Sequence, residues 1–261
     1  MQDLGMVDGK AAEVEVSIHG RDFTIRQSPG VLQSTRESGT TGAALWRVSV
    51  QFAEWLGSKH NALFQQDVLT SESVVLELGA GISGLVPSVL SSRVRKVIAT
   101  DQQYILKLLQ ENIDANRPVD RKQPSSQSKT NRLPKPSNIE VFALDWETDD
   151  VATTLRVHGL ENGVDAIVVS DCVFNYALIE PLVETCRTIC QSRTCNEREE
   201  ESRSRSPTLC IVAQQLRQPE VFQQWLVAFS RAFRVWRLPN SILNAGLEEK
   251  TQFVLHVGIL R

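Results

Sequence analysis

The sequence lacks any apolar stretch close to the roughly 20 residues that a membrane-spanning helix requires. Its first ten residues, MQDLGMVDGK, contain no apolar run either. We therefore expect neither a membrane span nor a secretory signal. No CxxC pair occurs among the five cysteines, and their spacing fits no disulfide framework. These absences predict reduced thiols in a protein of the cytoplasm or the nucleus.

An excess of charge of one sign is also lacking. The chain has 28 Lys and Arg against 31 Asp and Glu, for a net charge of −3. No broad surface for nucleic acid or anionic membranes is therefore expected. Cys186, Cys190 and Cys195 are close in sequence, but the four histidines are scattered, so we expect structural thiols and no metal. A monomer is expected.

The 261 residues suit one large α/β domain with short additions. Residues 1–40 are predicted to form an N-terminal β extension and a polar segment, because Val14, Val16 and Ile18 alternate with polar residues and the alternation resumes at Phe23. Residues 41–261 are predicted to form the main domain. Apolar residues at helical spacing predict that it opens with a helix over residues 41–57.

The main domain then alternates between predicted strands and helices, which indicates a Rossmann-like, seven-stranded, mostly parallel sheet with helices on both faces. Two polar segments, residues 117–138 and 191–207, interrupt the alternation and are predicted to be surface insertions. The predicted strands are 74–78, 96–100, 139–144, 165–170, 209–214, 235–238 and 251–260, and the predicted later helices are 84–92, 102–116, 177–190 and 220–232.

The strongest local signal is a glycine pattern that follows the first strand of this domain. Gly79, Gly81 and Gly84 have the spacing GxGxxG between an apolar strand and a helix. Glycines at these positions let the backbone turn tightly and approach a ligand closely. The spacing by itself also suits a dinucleotide-binding protein.

Three acidic positions favour a different ligand. Glu77 precedes the glycines, where a carboxylate suits the ammonium of an amino-acid moiety and would repel a pyrophosphate. Asp101 ends the second strand, where an acid can accept both ribose hydroxyls of a nucleoside. Asp145 and Trp146 end the third strand, where a carboxylate and an aromatic can flank an adenine and accept from its amine. The pattern favours a ligand that carries both an amino-acid ammonium and an adenine nucleoside.

Five segments, in order, resemble the seven-strand methyltransferases that modify protein lysines. They are GAALWRVSVQFAEWL, LELGAGISGL, the strand-ending Asp101, LDWE and SDCVFN. The resemblance covers about residues 40–260 and is strongest to the methyltransferase-like lysine group, in its fungal branch that acts on a ribosomal protein. It implies an S-adenosylmethionine-dependent protein-lysine N-methyltransferase whose substrate is a ribosomal protein of the large subunit.

The resemblance also implies roles for the residues near the glycine loop. Gly79, Ala80 and Gly81 are expected to line the methionine part of the cofactor. Asp101 is expected to hold the ribose, and Trp146 to pack on the adenine.

Further residues take their roles from the other matched segments. Trp46, on the early helix, is expected to cover the cofactor, and Ser170 to contact it. Asp171 begins an acid-x-x-aromatic motif that lies beside the methyl group and the incoming lysine, and is the predicted catalytic residue. The aromatic is Phe174, where the family often has tyrosine, which removes a phenol from the site. Tyr176 is close in sequence but has no assigned role.

Several alternatives stay open at this stage. A nicotinamide-dependent oxidoreductase is compatible with GxGxxG and Asp101. A methyltransferase of another protein or of a small molecule keeps the same fold, and a non-catalytic binding module is a further alternative. A base-modifying methyltransferase is disfavoured, because Asp171-Cys-Val-Phe lacks the prolines typical of such enzymes. Cys172 is predicted to be a buried neighbour of the site.

Overall fold

The computed structural model describes residues 5–32, 41–118, 137–195, 206–247 and 251–261. The predicted N-terminal β element is present as an antiparallel hairpin of β1 (Glu13–Ile18) and β2 (Arg21–Arg26). Phe23 and Ile25 of β2 are buried, as the alternating pattern predicts.

The main domain is built on a seven-stranded sheet, which confirms the predicted fold class. Its order is β5-β4-β3-β6-β7-β9-β8; the first five are parallel, and β9 runs antiparallel to both of its neighbours. The central strands read as continuous apolar runs because both of their faces are covered. The strands are β3 (Val74–Leu78), β4 (Lys96–Asp101), β5 (Ile139–Ala143), β6 (Ala166–Ser170), β7 (Leu209–Gln215), β8 (Phe233–Arg237) and β9 (Phe253–Leu260).

Helices cover both faces of this sheet. The hairpin, α2, α4 and α5 pack on one face, and α6, α7 and α8 pack on the other. Within the described ranges, every helix is too short or too polar to cross a bilayer. The helices are α1 (Pro29–Leu32), α2 (Arg47–Gly57), α3 (Ala62–Gln65), α4 (Leu85–Leu90), α5 (Gln103–Ala115), α6 (Val151–Val157), α7 (Ile179–Cys195) and α8 (Pro219–Ala232).

The helices differ from the prediction, most clearly at α2, α6 and α7. Residues 41–43 form a short 3-10 turn, and α2 begins only at Arg47. Helix α6 was not predicted. Helix α7 continues to Cys195, so the second polar insertion cannot begin at residue 191. The remainder of both predicted insertions, at 119–136 and 196–205, lies outside the described residues.

Two asparagines at the C-terminal end of α5, one in its last turn and one directly after it, hold the hairpin against the main domain. The side-chain oxygens of Asn112 and Asn116 accept from the backbone N–H groups of Arg26 and Thr24, and their amide nitrogens donate to the carbonyls of the same two residues. These bonds satisfy backbone groups of β2 that have no strand partner on that side. Asn112 also donates to the carbonyl of Ile82, which ties the hairpin to the loop after β3.

Candidate active site

A cavity of about 690 Å³ lies at the carboxyl ends of the parallel strands. It sits where the strand order reverses between β3 and β6, the usual ligand position in an open α/β sheet. Nine of the ten predicted site residues line it, and the tenth, Glu77, lies behind its wall. The nine are Trp46, Gly79, Ala80, Gly81, Asp101, Asp145, Trp146, Ser170 and Asp171.

The floor of the cavity is the glycine loop that follows β3. Gly79 has a φ of +67°, and a Cβ placed on it would lie 2.5 Å from Cys172 Sγ and 3.1 Å from the Trp146 ring. A side chain at this position would therefore be strained and would also clash. The amide of Ala80 donates to the carbonyl of Thr100 at 3.0 Å, and that of Ile82 donates to the carbonyl of Gly42 at 2.9 Å. These bonds fix the loop between β4 and the turn before α2.

Asp101 is held in place by backbone amides at the end of β4. Its carboxylate accepts from the amides of Gly81 at 2.8 Å and Gln102 at 2.7 Å. Burial raises the pKa of Asp101 to about 6, although the two amide bonds favour the ionised form and oppose the rise. Gln102 also donates to Asp145 at 3.0 Å, so the acids that end β4 and β5 lie close together.

Glu77 is almost fully buried on β3, with 2% of its surface exposed. Its Oε2 has no hydrogen-bond partner in the part of the chain that is described. Burial and, to a lesser extent, the charge of Asp101 raise the pKa of Glu77 to about 8. A buried carboxylate without a partner is costly, and a cation brought to it would remove that cost. The side of the cavity at the ends of β3 and β4 is therefore suited to a ligand with a positive charge.

Two indoles, those of Trp46 and Trp146, line the cavity wall. Trp46 is not on the early helix as predicted; it is the extended residue before α2, with φ −98° and ψ 143°. Its indole N–H donates to the carbonyl of Thr41 at 2.9 Å, which fixes the ring. The Nε1 of Trp146 is buried without a partner among the described residues.

Asp171, directly after β6, has a strained backbone and a buried side chain. Its φ is +58°, a left-handed value that is uncommon for a residue with a Cβ and is often found at functional sites. Its Oδ2 lies 2.6 Å from Nη2 of Arg217, and its Oδ1 accepts from the amide of Gln215 at 3.3 Å. Burial raises the pKa of Asp171 to about 6, and the Arg217 charge limits the rise.

The segment after Asp171 is clamped by Gln214 at the end of β7. The Gln214 side chain accepts from the amide of Val173 at 3.3 Å and donates to its carbonyl at 2.5 Å. Phe174 lines the cavity, whereas Tyr176 is about half exposed and does not. Tyr176 therefore does not supply the phenol that Phe174 lacks.

Ser170 and Cys172 flank Asp171 on the cavity wall. The hydroxyls of Ser170 and Ser49 lie 3.0 Å apart, which joins the end of β6 to α2. The Cys172 thiol is buried, and burial raises its pKa well above the ordinary value, so it stays protonated and poorly nucleophilic. This confirms that Cys172 is a buried neighbour of the site.

Comparison with known proteins shows the family to which this chain belongs. A family model described as lysine methyltransferase matches residues 27–206. The ribosomal lysine N-methyltransferase 5 of Zygosaccharomyces rouxii is 31% identical, over 90% of this chain and 78% of that protein. The chain belongs to the lysine methyltransferase family. This methyltransferase uses S-adenosylmethionine to methylate protein lysine, and the oxidoreductase alternative is set aside.

Two further comparisons are narrower. A Schizosaccharomyces pombe protein named diaminohydroxyphosphoribosylamino-pyrimidine deaminase is 30% identical over 89% of this chain, but the chain spans only 48% of that protein. A solved methyltransferase structure in complex with SAH gives a TM-score of 0.50 at 12% identity, over 95% of this chain and 56% of that one. At that identity the structure supports the fold alone.

The residues of the cavity fit the cofactor of this methyltransferase. S-adenosylmethionine carries an ammonium and a sulfonium. The carboxyls of Asp101 and Asp145 line the cavity, and the carboxyl of Glu77 is buried on β3, two residues before Gly79. Because Gly79 has no side chain, a bound ligand can approach the backbone closely at this position. The unpartnered Oε2 of Glu77 is compatible with a cationic ligand.

Sequence reasoning missed several residues of the cavity, above all Arg217. Arg217 lies in a polar stretch after β7 that matches no motif. The one signal that could have found it was its position, because residues that follow a parallel strand lie at the same edge of the sheet as Asp171. Gln214, Ser49 and Gln102 were also missed.

The remaining described cysteines lie far from this chemistry. Cys186, Cys190 and Cys210 are buried in the core between α7 and β7, and the sulfurs of Cys190 and Cys210 are 3.6 Å apart. No group of three or more potential metal ligands occurs in the described parts of the chain. The side chain of Cys195 lies outside the described residues.

Proposed function

We propose that this methyltransferase modifies a lysine of a ribosomal protein of the large subunit. The observation that carries the proposal is the similarity, across most of the chain, to yeast proteins named ribosomal lysine N-methyltransferase 5. The relative from Zygosaccharomyces rouxii is joined by one from Kluyveromyces lactis, 27% identical over 99% of this chain and 90% of that protein. We further propose that the enzyme acts as a monomer in the cytoplasm and contacts no nucleic acid directly.

The residues around the glycine loop are proposed to hold the cofactor. Glu77 takes the ammonium, and Gly79, Ala80 and Gly81 line the methionine part. Asp101 accepts from the ribose hydroxyls with the oxygen lone pairs that its two amide partners leave free.

The base and the reacting end of the cofactor are assigned to the remaining wall residues. Trp146 packs on the adenine, and Asp145 accepts from its amine. Trp46 covers the cofactor, and Ser170 contacts it from the end of β6. These assignments place the adenosine at β4 and β5 and the transferable methyl group towards Asp171.

Asp171 is proposed to orient the acceptor amine. The cofactor supplies a methyl group on a positively charged sulfur, and its transfer to the lysine nitrogen leaves a neutral thioether. Only an uncharged amine has the lone pair that this displacement needs. Asp171 accepts a hydrogen bond from the amine and so directs that lone pair towards the methyl group. No covalent enzyme intermediate is required, in keeping with the protonated Cys172 thiol.

A transfer assay with labelled donor tests the substrate. Ribosomal subunits purified from cells that lack the gene are incubated with the enzyme and S-adenosylmethionine that carries a radiolabelled methyl group. We expect label in one protein band of the large subunit, and after hydrolysis in methyl-lysine. Label in RNA, in a small molecule or only in non-ribosomal protein would contradict the proposed substrate.

A further inference from the structure

Arg217 is held on three sides at the acceptor end of the cavity. Its Nη2 lies 2.6 Å from Asp171 Oδ2, and its guanidinium carbon lies 4.9 Å from the centre of the Trp46 ring. A Cβ on Gly5, in the N-terminal segment, would lie 2.6 Å from Nη1, so backbone packs closely against the guanidinium. The segment is itself anchored, because the amide of Arg47 donates to the carbonyl of Gly5 at 2.9 Å. The Arg217 side chain is therefore fixed in the cavity wall by its contacts.

Arg217 is also the only cationic side chain among the described residues that line the cavity. The other ionisable groups on the wall are four acids, a phenol and a thiol: Asp101, Asp145, Glu147, Asp171, Tyr104 and Cys172. The nearest strong interaction of Arg217 is with Asp171, whose side chain is only 2% exposed. The Arg217–Asp171 pair is thus close to neutral as a whole.

The charge of this pair matters because a protonated lysine cannot react. A lone buried carboxylate beside the amine would stabilise the ammonium form and raise its pKa. A carboxylate already neutralised by a guanidinium still accepts a hydrogen bond, but it attracts an ammonium much less. Asp171 retains that capacity, because the contact of its Oδ1 with the Gln215 amide is long, at 3.3 Å.

We propose that Arg217 is a positioning residue that neutralises Asp171, so that the acceptor lysine is bound as an uncharged amine ready to attack. This inference rests on the proposed role of Asp171. It makes Arg217 a determinant of the protonation state of the substrate. The alternative, in which the substrate lysine displaces Arg217 and takes its place on Asp171, would require breaking the contacts of the guanidinium with Asp171 and Trp46.

The test is the pH dependence of kcat in Arg217→Met, which keeps an unbranched side chain and removes the charge. At saturating substrate, kcat reports groups in the enzyme–substrate complex. Loss of the nearby cation is expected to move the acid limb of the kcat profile upward by about one to three pH units. At pH 7 kcat should fall by about tenfold for each pH unit that the limb moves, and at high pH it should recover to near the wild-type value.

Two variants act as controls. Arg217→Lys retains a cation, so its acid limb should move back towards the wild-type position. Arg193→Met removes an arginine from a comparable ion pair, with Asp165 at 2.7 Å, at the opposite edge of the sheet. It should leave the acid limb unchanged even if it lowers the melting temperature. If Arg217→Met does not fold, Arg217→Gln is used in its place.

A second readout does not depend on turnover. The carboxyl carbon of Asp171, assigned by difference from Asp171→Asn, is titrated by NMR in the ligand-free protein. In Arg217→Met its pKa should rise further above the wild-type value, because burial is then no longer opposed by the guanidinium.

The outcomes separate the inference from the proposed function. If the wild-type enzyme binds S-adenosylhomocysteine and methylates lysine, but kcat of Arg217→Met falls equally at every pH, Arg217 is merely structural and the inference fails. A gain in kcat at pH 7 would favour displacement by the substrate and would also overturn it. If the wild-type enzyme shows no transfer to lysine, the proposed function itself fails.

Discussion

Strand β6 carries an aspartate at each end, and an arginine binds each of them. Asp165, before the strand, lies 2.7 Å from Nη2 of Arg193, and its other oxygen accepts from the amide of Val74 at 2.7 Å. Asp171, after the strand, lies 2.6 Å from Nη2 of Arg217, but its second oxygen has only the long contact to Gln215. The two pairs are alike in length and differ in what surrounds them.

The surroundings favour a structural role for the Asp165 pair and agree with the functional role proposed for the Asp171 pair. The Asp165 side chain is 28% exposed and bonds tightly at both oxygens, so it joins β3, β6 and α7 and has little capacity left. The Asp171 side chain is 2% exposed, sits on a left-handed backbone and faces a cavity. A buried, strained and incompletely bonded carboxylate is retained where a ligand completes its bonding.

The difference between the two aspartates is tested most strongly by replacing each of them with asparagine. Asparagine tolerates a left-handed backbone, so Asp171→Asn should fold. It should lower kcat by at least about 100-fold, the scale of a lost proton-handling or orienting group, while S-adenosylhomocysteine affinity measured by calorimetry stays within about threefold of wild type. Asp165→Asn should lower the free energy of unfolding by about 1–3 kcal/mol and leave kcat nearly unchanged. Equal losses of activity in both variants would remove the distinction.

The fold was largely predictable from the sequence because its central strands are runs of mainly apolar residues. The runs that became β3, β4, β6 and β7 are mainly apolar, as is typical of strands covered on both faces. Helix α6 was missed because VATTLRV is short and rich in β-branched residues. The start of α2 was misplaced because Leu45 and Trp46 continue the apolar spacing, although they lie in extended backbone before the helix.

A second prediction concerns the opposite half of the cavity, at the glycine loop. In Gly79→Ala the new methyl group would meet Cys172 and Trp146 on a backbone at φ +67°. We expect S-adenosylhomocysteine affinity to fall at least tenfold, since close approach of the ligand depends on this position. Gly20→Ala, in the hairpin turn, has a similar φ of +74° with nothing within 4 Å. It should cost about 1–2 kcal/mol of stability without changing affinity, and a matched loss of affinity would contradict the assignment.

A third, smaller effect concerns the protonation of Glu77. With a pKa of about 8, Glu77 is mostly protonated at pH 6.5 in the ligand-free protein. An ammonium brought to it favours the ionised form, so binding of S-adenosylhomocysteine should release up to about one proton at this pH and less above pH 9. Calorimetry in buffers of different ionisation enthalpy measures the release. Glu77→Gln should abolish it, and an unchanged release in that variant would show that Glu77 is not the group involved.

The raised pKa of Glu77 also determines the direction in which protein stability changes with pH. Because its pKa is raised on folding, the folded protein binds more protons than the unfolded chain between about pH 4.5 and 8. The Glu77 contribution to the free energy of unfolding therefore decreases as pH rises through this range.

The candidate site was predictable only where residues adjoin a motif. Glu77, Asp101 and Asp171 could be found because each ends or adjoins a strand of recognisable pattern. Arg217 could not, because its role depends on β7 lying beside β6, and that adjacency comes from the folded sheet rather than from local sequence. The charge state of Asp171, and with it the protonation of the acceptor, was for that reason beyond sequence analysis.

The most direct measurement of the central claim is mass spectrometry of ribosomal proteins from cells that lack the gene and carry either the wild-type or the Asp171→Asn form. We predict that one lysine of a large-subunit protein bears methyl groups with the wild-type form and none with Asp171→Asn. If all ribosomal lysines keep their wild-type level of methylation with Asp171→Asn, or in cells without the gene, the account is contradicted.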